Sequence, residues 1–128
     1  MIEVVAAIII NNEDKILIAK RKSSLKFGGL WEFPGGKVEK GEAYEDTAIR
    51  ELKEEMHIDI KVVKYFGETV SNDKDKGIKL IGFKCTIIKG DIILTDHDEY
   101  KWVSKDELIN YELTPADKYF AYKLIDEN

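Results

Sequence analysis

The sequence predicts a single α/β domain over residues 1–128, and three observations support this prediction. A chain of 128 residues that is 44% hydrophobic is long enough to bury one core. Several runs rich in Val and Ile are typical of β-strands and are separated by short polar segments. Two further segments have helix signals, namely apolar residues at helical spacing in the middle of the chain and a Thr-Pro helix start near its end.

The composition argues against several classes of partner. The formal net charge is -5, so we expect no broad basic surface for a nucleic acid polymer. Cys85 is the only cysteine, which excludes an internal disulfide and a cluster of thiolate metal ligands and favours a cytoplasmic location. The apolar run over residues 1–10 is far shorter than the roughly 20 residues of a membrane span, so we expect no membrane partner.

The first part of the chain predicts two strands and a flexible loop. Residues 4–10 and 15–22 are β-branched runs joined by a polar turn, for which a hairpin is the simplest interpretation. Residues 23–29 predict a loop, and the segment after it has unusual backbone freedom because it ends in two glycines. That segment consists of Trp31, Glu32, Phe33, Pro34, Gly35 and Gly36.

The rest of the chain predicts two helices and four strands. Residues 43–56 lack Gly and Pro and place Ala48, Leu52 and Met56 four residues apart, which predicts an amphipathic helix. A closing helix is predicted over residues 114–126, with Thr114 as N-cap and Pro115 at the first helical position. The strand candidates are residues 58–70, 78–88, 92–94 and 100–103, with the charged stretch 71–77 between the first two.

Three glutamates of the middle helix predict a site for a divalent cation. At about 100° per residue, Glu51, Glu54 and Glu55 share one arc of the helix, where their charges repel one another. Carboxylate oxygens suit Mg²⁺, with Mn²⁺ as a substitute, and no neighbouring Cys or paired His favours zinc. Taken alone, three such glutamates are more often a solvated acidic face.

The spacing of the preceding loop distinguishes these two interpretations. From Gly36, five residues lead to Glu42 and seven more lead to the run Arg50-Glu51-Leu52-Lys53-Glu54-Glu55-Met56-His57-Ile58. This pattern resembles the Nudix box, which has Gly, Glu, Arg-Glu, Glu-Glu, Gly and an aliphatic residue at fixed positions. The chain departs from it at His57, where the family has a glycine that ends the helix in a left-handed conformation. Histidine tolerates that conformation better than most residues, so we expect a structural role for His57.

The resemblance implies a role for each residue of the box. It makes Glu54 and Glu55 the main metal ligands, with Glu51 completing the metal site or orienting the attacking water. A carbonyl oxygen of Gly35 or Gly36 can approach the metal because no side chain blocks it.

The resemblance also implies direct attack by water and a general base. Arg50 is expected to fix a glutamate through a charged hydrogen bond. The candidates for the base are Glu51 and Asp96, and Asp96 is equally well explained as an ordinary turn aspartate.

Segments outside the box resemble the MutT-type branch of the Nudix family. They are residues 3–9, 30–39 and 114–117, so the similarity spans nearly the whole chain. The branch implies an α/β/α sandwich with a mixed β-sheet and the box helix packed against it. It includes CTP pyrophosphohydrolases and oxidised-guanine triphosphatases.

Carried over to this chain, the resemblance implies a nucleotide pocket. Arg21 and Lys26 are expected to meet phosphates or sugar, and residues 32–35, Glu32, Phe33, Pro34 and Gly35, to line the pocket. Phe33 and Trp31 either stack on a base or pack in the core. Asp117 either accepts hydrogen bonds from a base as an ionised carboxylate or complements the positive end of its helix. Cys85 is assigned to the core and His97 to the surface.

The expected function is metal-dependent hydrolysis of a nucleoside triphosphate to the monophosphate and pyrophosphate, by a monomer or homodimer. CTP, dCTP or a modified dCTP is the favoured substrate. Alternatives are hydrolysis of 8-oxo-dGTP, of ADP-ribose or of a dinucleotide polyphosphate. A Nudix module that senses nucleotides without cleaving them is a further alternative, but such modules typically lose box carboxylates that this chain keeps.

Overall fold

The structure is a computed structural model that describes residues 1–73 and 76–127. Residues 74 and 75, within the charged stretch predicted between two strands, lie outside the described residues, as does Asn128. The strands are β1 (Ile2–Ile9), β2 (Ile16–Arg21), β3 (Trp31–Glu32), β4 (Gly35–Lys37), β5 (Asp59–Asp73), β6 (Lys76–Lys89) and β7 (His97–Val103). The helices are α1 (Tyr44–Met56), the 3-10 helix Lys105–Asn110 and α2 (Pro115–Ile125).

Two β-sheets form the centre of the fold. The four-stranded sheet has the order β4-β1-β6-β5, and in it β1 runs parallel to β6 while the other two pairings are antiparallel. The three-stranded sheet has the order β3-β2-β7 and is antiparallel throughout. The larger sheet is therefore mixed, as the sequence predicts.

Strand β1 is buried on both faces and separates two halves of the core. Since side chains alternate along a strand, Val5, Ala7 and Ile9 point to the side that holds Ala48, Leu52 and Met56 of α1. Ala6 and Ile8 point to the other side, which holds Phe120 and Leu124 of α2. A helix on each side of the central sheet gives the predicted α/β/α sandwich.

The predicted N-terminal hairpin is wrong. The polar turn exists, and the Asn11 side chain accepts hydrogen bonds from the backbone N–H groups of Glu13 and Lys15, both at 2.9 Å. The strands on either side enter different sheets, however, and only an isolated bridge between Ile10 and Ile16 joins them. Because β1 is apolar on both faces, it pairs centrally with β6 and β4 instead of with its neighbour in sequence.

The strand predicted over residues 92–94 is also wrong. This segment uses its backbone to bond the end of α1, where the Ile93 N–H donates to the Met56 carbonyl at 3.0 Å. The last carbonyls of a helix have no hydrogen-bond partner within the helix. The Met56 carbonyl therefore accepts the Ile93 N–H, which would otherwise donate to a neighbouring strand. The short strands β3 and β4 and the 3-10 helix were not predicted.

Both predicted helices form. Helix α1 ends at His57, whose φ of 58° and ψ of 32° are left-handed and whose N–H donates to the Lys53 carbonyl at 3.1 Å. This confirms the predicted helix end. Helix α2 begins at Pro115, but the hydroxyl of its N-cap Thr114 donates to the Asp117 carboxylate and does not cap the backbone. No helix in the described part of the chain is long and apolar enough to cross a membrane.

Candidate active site

The three glutamates of α1 differ sharply in exposure. The Glu55 side chain is only 7% exposed and the Glu51 side chain 17%, and the two carboxyl groups are close enough to interact directly. The Glu54 side chain is 57% exposed. We call these three residues the acidic edge of α1. It consists of a buried carboxyl pair, Glu51 and Glu55, and the outward carboxylate of Glu54 beside the pair.

Several like charges converge on Glu55. Its burial raises the pKa of this carboxyl well above the usual range, and the neighbouring Glu51, Glu32 and Asp96 raise it further. Asp96, from the segment before β7, thus belongs to the same electrostatic cluster, although its own side chain lies at the surface. The neutral form of Glu55 is therefore favoured, and a cation bound to the cluster would let all of its carboxyl groups ionise together.

Arg50 holds the loop before α1 against the helix. Its guanidinium donates to both carboxylate oxygens of Glu42, at 2.8 and 3.0 Å, and to the Lys37 carbonyl at 3.0 Å. It also donates to Glu51 at 2.9 Å, whereas Glu54 lies at 3.4 Å. Hydrogen bonds from Arg50 and Thr47 lower the pKa of Glu42 to about 2. Arg50 therefore holds Glu51 through its shorter hydrogen bond and Glu54 more loosely, through two contacts at 3.4 Å.

The glycines of β4 allow two close approaches. A Cβ atom at Gly36 would lie 2.3 Å from the carboxyl carbon of Glu51, and one at Gly35 would lie 1.9 Å from the carbonyl oxygen of Val5. Both distances are far below van der Waals contact. Gly36 therefore lets the Glu51 carboxylate pack directly on the backbone of β4, and Gly35 lets β4 approach β1.

The segment before β7 is tied to the end of α1. The Thr95 hydroxyl donates to the carbonyls of Glu54 and Glu55, each at 3.1 Å, and the Thr95 N–H donates to the Glu55 carbonyl at 3.1 Å. Lys22 in turn donates to the Thr95 carbonyl at 3.1 Å. These bonds place Asp96 beside the carboxyl pair.

The assignment of His97 to the surface is wrong. Its side chain is 3% exposed, its Nε2 lies 2.9 Å from a carboxylate oxygen of Glu32, and its Nδ1 lies 3.8 Å from Glu55. The other carboxylate oxygen of Glu32 accepts from Arg21 at 2.9 Å. The position was missed because the burial of β7 does not alternate, so strand periodicity gives no sign that its first residue points inward.

A cavity of about 800 Å³ opens beside β4. Gly36 lines it, so the backbone that contacts Glu51 also forms part of the cavity wall. The predicted pocket residues that line it are Arg21, Lys26, Glu32, Phe33, Gly35 and Asp117.

Two of the predicted pocket residues lie elsewhere. Pro34 is not part of the cavity wall, and its carbonyl accepts from the Ala7 N–H at 2.8 Å. Trp31 packs edge-to-face on Tyr111 in the core, so the core-packing alternative holds for it. Phe27 lines the cavity and was not predicted, because nothing in the loop pattern of residues 23–29 indicates that this half-exposed aromatic lies at the cavity wall.

Asp117 lies at the wall of the cavity and is almost completely buried. Strand β3 brings it there, because Trp31 is bridged to Leu113 just before α2. One carboxylate oxygen accepts from Thr114, and the backbone N–H of Phe33 also interacts with the carboxyl group. The second oxygen, Oδ1, is buried and accepts no hydrogen bond of good geometry. Burial raises the pKa of Asp117 to about 7. The prediction of a permanently ionised carboxylate therefore needs correction, since both forms exist near neutral pH.

Comparison with known proteins identifies the family. Residues 1–125 match the NUDIX domain family model. The chain belongs to the NUDIX family. A CTP pyrophosphohydrolase of Escherichia coli K12 is 38% identical over 91% of this chain and 86% of its own length. An 8-oxo-dGTP diphosphatase of Proteus vulgaris is 36% identical over 71% of this chain and 81% of its own.

The Nudix fold is shared as well as the sequence. The crystal structure of a MutT protein from Methanosarcina mazei Go1 has a TM-score of 0.86 and 27% identity, and the alignment covers 97% of this chain and 92% of that one. This confirms the predicted resemblance to MutT-type Nudix proteins. The chain is a Nudix hydrolase, and the two relatives are named as a CTP pyrophosphohydrolase and an 8-oxo-dGTP diphosphatase.

Nudix hydrolases generally use divalent metals, and the residues of this site fit such an ion. As they stand, no three or more His, Cys, Asp or Glu side chains among the described residues are arranged so that they could hold a metal ion. Glu51 and Glu55 already meet, and the exposed Glu54 side chain can turn towards them by a rotamer change that is fast at a surface. The donors are hard oxygen ligands in a strongly negative site, which suits Mg²⁺ or Mn²⁺.

Proposed function

We propose that this Nudix hydrolase uses Mg²⁺ to hydrolyse a nucleoside triphosphate to the monophosphate and pyrophosphate, with cytosine nucleotides preferred. The proposal rests mainly on Gly36, whose backbone contacts the Glu51 carboxylate and also lines the 800 Å³ cavity. A nucleotide in that cavity has its phosphates beside the acidic edge of α1.

The proposed metal ligands are the carboxylates of Glu51, Glu54 and Glu55 together with a carbonyl of Gly35 or Gly36. A bound Mg²⁺ supplies stabilisation of the charge that develops on the phosphate oxygens. Arg50 orients Glu51 through its hydrogen bond at 2.9 Å. Glu51 or Asp96 accepts the proton of the attacking water, and both groups belong to the cluster around Glu55.

Two basic residues of the cavity wall are proposed to bind phosphates or sugar. Arg21 is held by Glu32 and by the Lys26 carbonyl, each at 2.9 Å, so its guanidinium is already oriented at the wall. Lys26 lines the same wall. Preorganised donors lose little conformational entropy when an anion binds.

The proposed cytosine preference rests on Asp117 and on the similarity to the Escherichia coli CTP pyrophosphohydrolase. The buried carboxylate oxygen without a partner can accept a hydrogen bond from the amino group of cytosine. Uracil offers a carbonyl at the same place. Phe33 forms an apolar part of the same cavity wall as Asp117.

Hydrolysis of 8-oxo-dGTP is the second candidate function. The Proteus vulgaris relative is named an 8-oxo-dGTP diphosphatase, and guanine also offers N–H donors to Asp117. Ranking the two substrates requires direct comparison of their rates.

Substitution of the acidic edge tests the proposal. Glu54→Gln and Glu55→Gln preserve shape but remove an anionic ligand, so pyrophosphate release from CTP in Mg²⁺ should fall about a thousandfold or more. Glu45→Gln is the matched control, because Glu45 lies exposed in the first turn of the same helix, and its rate should match the wild type. Near-normal rates in both test variants would refute the metal assignment.

A further inference from the structure

His97 has a buried nitrogen without a hydrogen-bond partner. Its side chain is 3% exposed, and Nδ1 is completely shielded yet bonds nothing. Buried polar atoms in folded proteins are nearly always hydrogen-bonded, so an exception asks for an explanation. The nearest acidic group on that side is Glu55, whose carboxylate oxygen lies 3.8 Å away, just beyond hydrogen-bond reach.

The opposite nitrogen of the same ring is firmly held. Nε2 lies 2.9 Å from one carboxylate oxygen of Glu32, and Arg21 donates to the other at 2.9 Å. The imidazole is thus anchored from the cavity side, with Nδ1 turned towards α1. Because the His97 ring is fixed, a hydrogen bond between Nδ1 and Glu55 forms only if the Glu55 carboxylate moves towards the ring.

We propose that His97 is a positioning residue that orients the Glu55 carboxylate for metal binding. The inference rests on the proposed metal site. As an imidazolium between two carboxylates, the ring donates through Nε2–H to Glu32 and through Nδ1–H to the Glu55 carboxylate ordered on the metal. This second bond closes the gap of 3.8 Å and gives the unpartnered nitrogen an acceptor. Carboxylates that bind metals are commonly held by such an outer hydrogen bond, and loss of that partner typically weakens metal binding about 10- to 100-fold.

Two amide substitutions separate positioning from simple packing. A glutamine amide reaches the place of Nε2, so His97→Gln keeps the contact with Glu32 and leaves nothing facing Glu55. The shorter asparagine amide lies at the place of Nδ1, so His97→Asn faces Glu55 and loses Glu32. His57→Asn is the control, because it removes the only other imidazole, at the exposed end of α1.

The measurement is Mn²⁺ affinity without nucleotide, from the electron paramagnetic resonance signal of free Mn²⁺, with a melting curve for each protein. We expect His97→Gln to bind Mn²⁺ about tenfold more weakly. His97→Asn and the control should stay within about threefold of the wild type, since each keeps a group facing Glu55. Equal losses in both His97 variants that follow their melting temperatures would mean packing alone and would overturn the proposal.

A second measurement needs no variant at position 97. In wild type labelled with ¹⁵N-histidine, Mg²⁺ should shift the His97 Nδ1 resonance more than its Nε2 resonance and leave His57 unchanged. An unchanged His97 spectrum in the presence of bound metal would overturn the proposal while leaving the proposed function intact. Absence of any Mn²⁺ binding by the wild type would overturn both.

Discussion

At the scale of single residues, the chemistry of Asp117 depends on its burial. Water is excluded from the carboxyl group, and removal of a charge from water disfavours the ionised form. With a pKa of about 7, the group near neutral pH is a mixture of a carboxylate that only accepts hydrogen bonds and an acid that can also donate one. This single residue therefore affects both stability and base preference.

Removal of the carboxyl group tests the base contact. Asp117→Ala should lower kcat/KM for cytosine nucleotides by about 1 to 3 kcal/mol and reduce the discrimination against uracil, because a buried partner of the base is lost. Rates for CTP and UTP give the discrimination directly. Asp126→Ala, at the exposed end of the same helix, is the control. An unchanged preference with a small drop in melting temperature would leave Asp117 only a role at the helix start.

The raised pKa of Asp117 also predicts a pH-dependent stability. Between the ordinary value of 3.8 and about 7, the folded state binds this proton more tightly than the unfolded state, so stability falls as pH rises. Relative to Asp117→Asn, which cannot ionise, the wild type should lose about 3 kcal/mol of unfolding free energy between about pH 5 and about pH 8. Denaturant melts of both proteins across that range measure it. A constant difference would mean that the pKa is not raised.

At the scale of secondary-structure elements, the contact between β4 and α1 determines the position of the acidic edge. The Glu51 carboxylate packs on the backbone of Gly36, and Arg50 ties the same helix to the Lys37 carbonyl. The strand and the helix are thus fixed to each other at the glycine and at the residue that follows it. A methyl group has no place between them.

Gly36→Ala tests this contact. The added Cβ would lie 2.3 Å from the Glu51 carboxyl carbon, so the carboxylate must move. We expect a loss of about 1 to 3 kcal/mol in unfolding free energy, typical of overpacking, together with weaker Mg²⁺-dependent activity. With Glu51→Ala already present the methyl group has room, so the same change should cost much less. An equal cost in both backgrounds would contradict the close packing.

The elements themselves were predictable to different degrees. Both helices followed from local signals, namely the apolar spacing of α1 and the Thr114-Pro115 start of α2. Strand partners did not follow from local signals. Strand β1 pairs with β6, which is far away in sequence, because β1 is buried on both faces. Residues 92–94 have strand character, yet the Ile93 N–H donates to the Met56 carbonyl at the end of α1 instead of to a neighbouring strand.

At the scale of the whole molecule, the candidate site joins segments that are far apart in sequence. The spacing of the Nudix box predicted the acidic edge, because Glu51, Glu54 and Glu55 all lie on the one helix α1. The inward turn of His97 and the position of Phe27 at the cavity wall depend on how β7 and the loop after β2 pack, so no local pattern predicted them.

A substrate panel tests the central claim most directly. Purified protein with Mg²⁺ is offered CTP, 5-methyl-dCTP, 8-oxo-dGTP, dATP, UTP and ADP-ribose, and the products are resolved as monophosphate, pyrophosphate or inorganic phosphate. We predict equal amounts of CMP and pyrophosphate from CTP, the highest kcat/KM for cytosine nucleotides, and no turnover when a chelator removes the metal. Release of inorganic phosphate from CTP, turnover without metal, or cleavage of ADP-ribose alone would contradict the account.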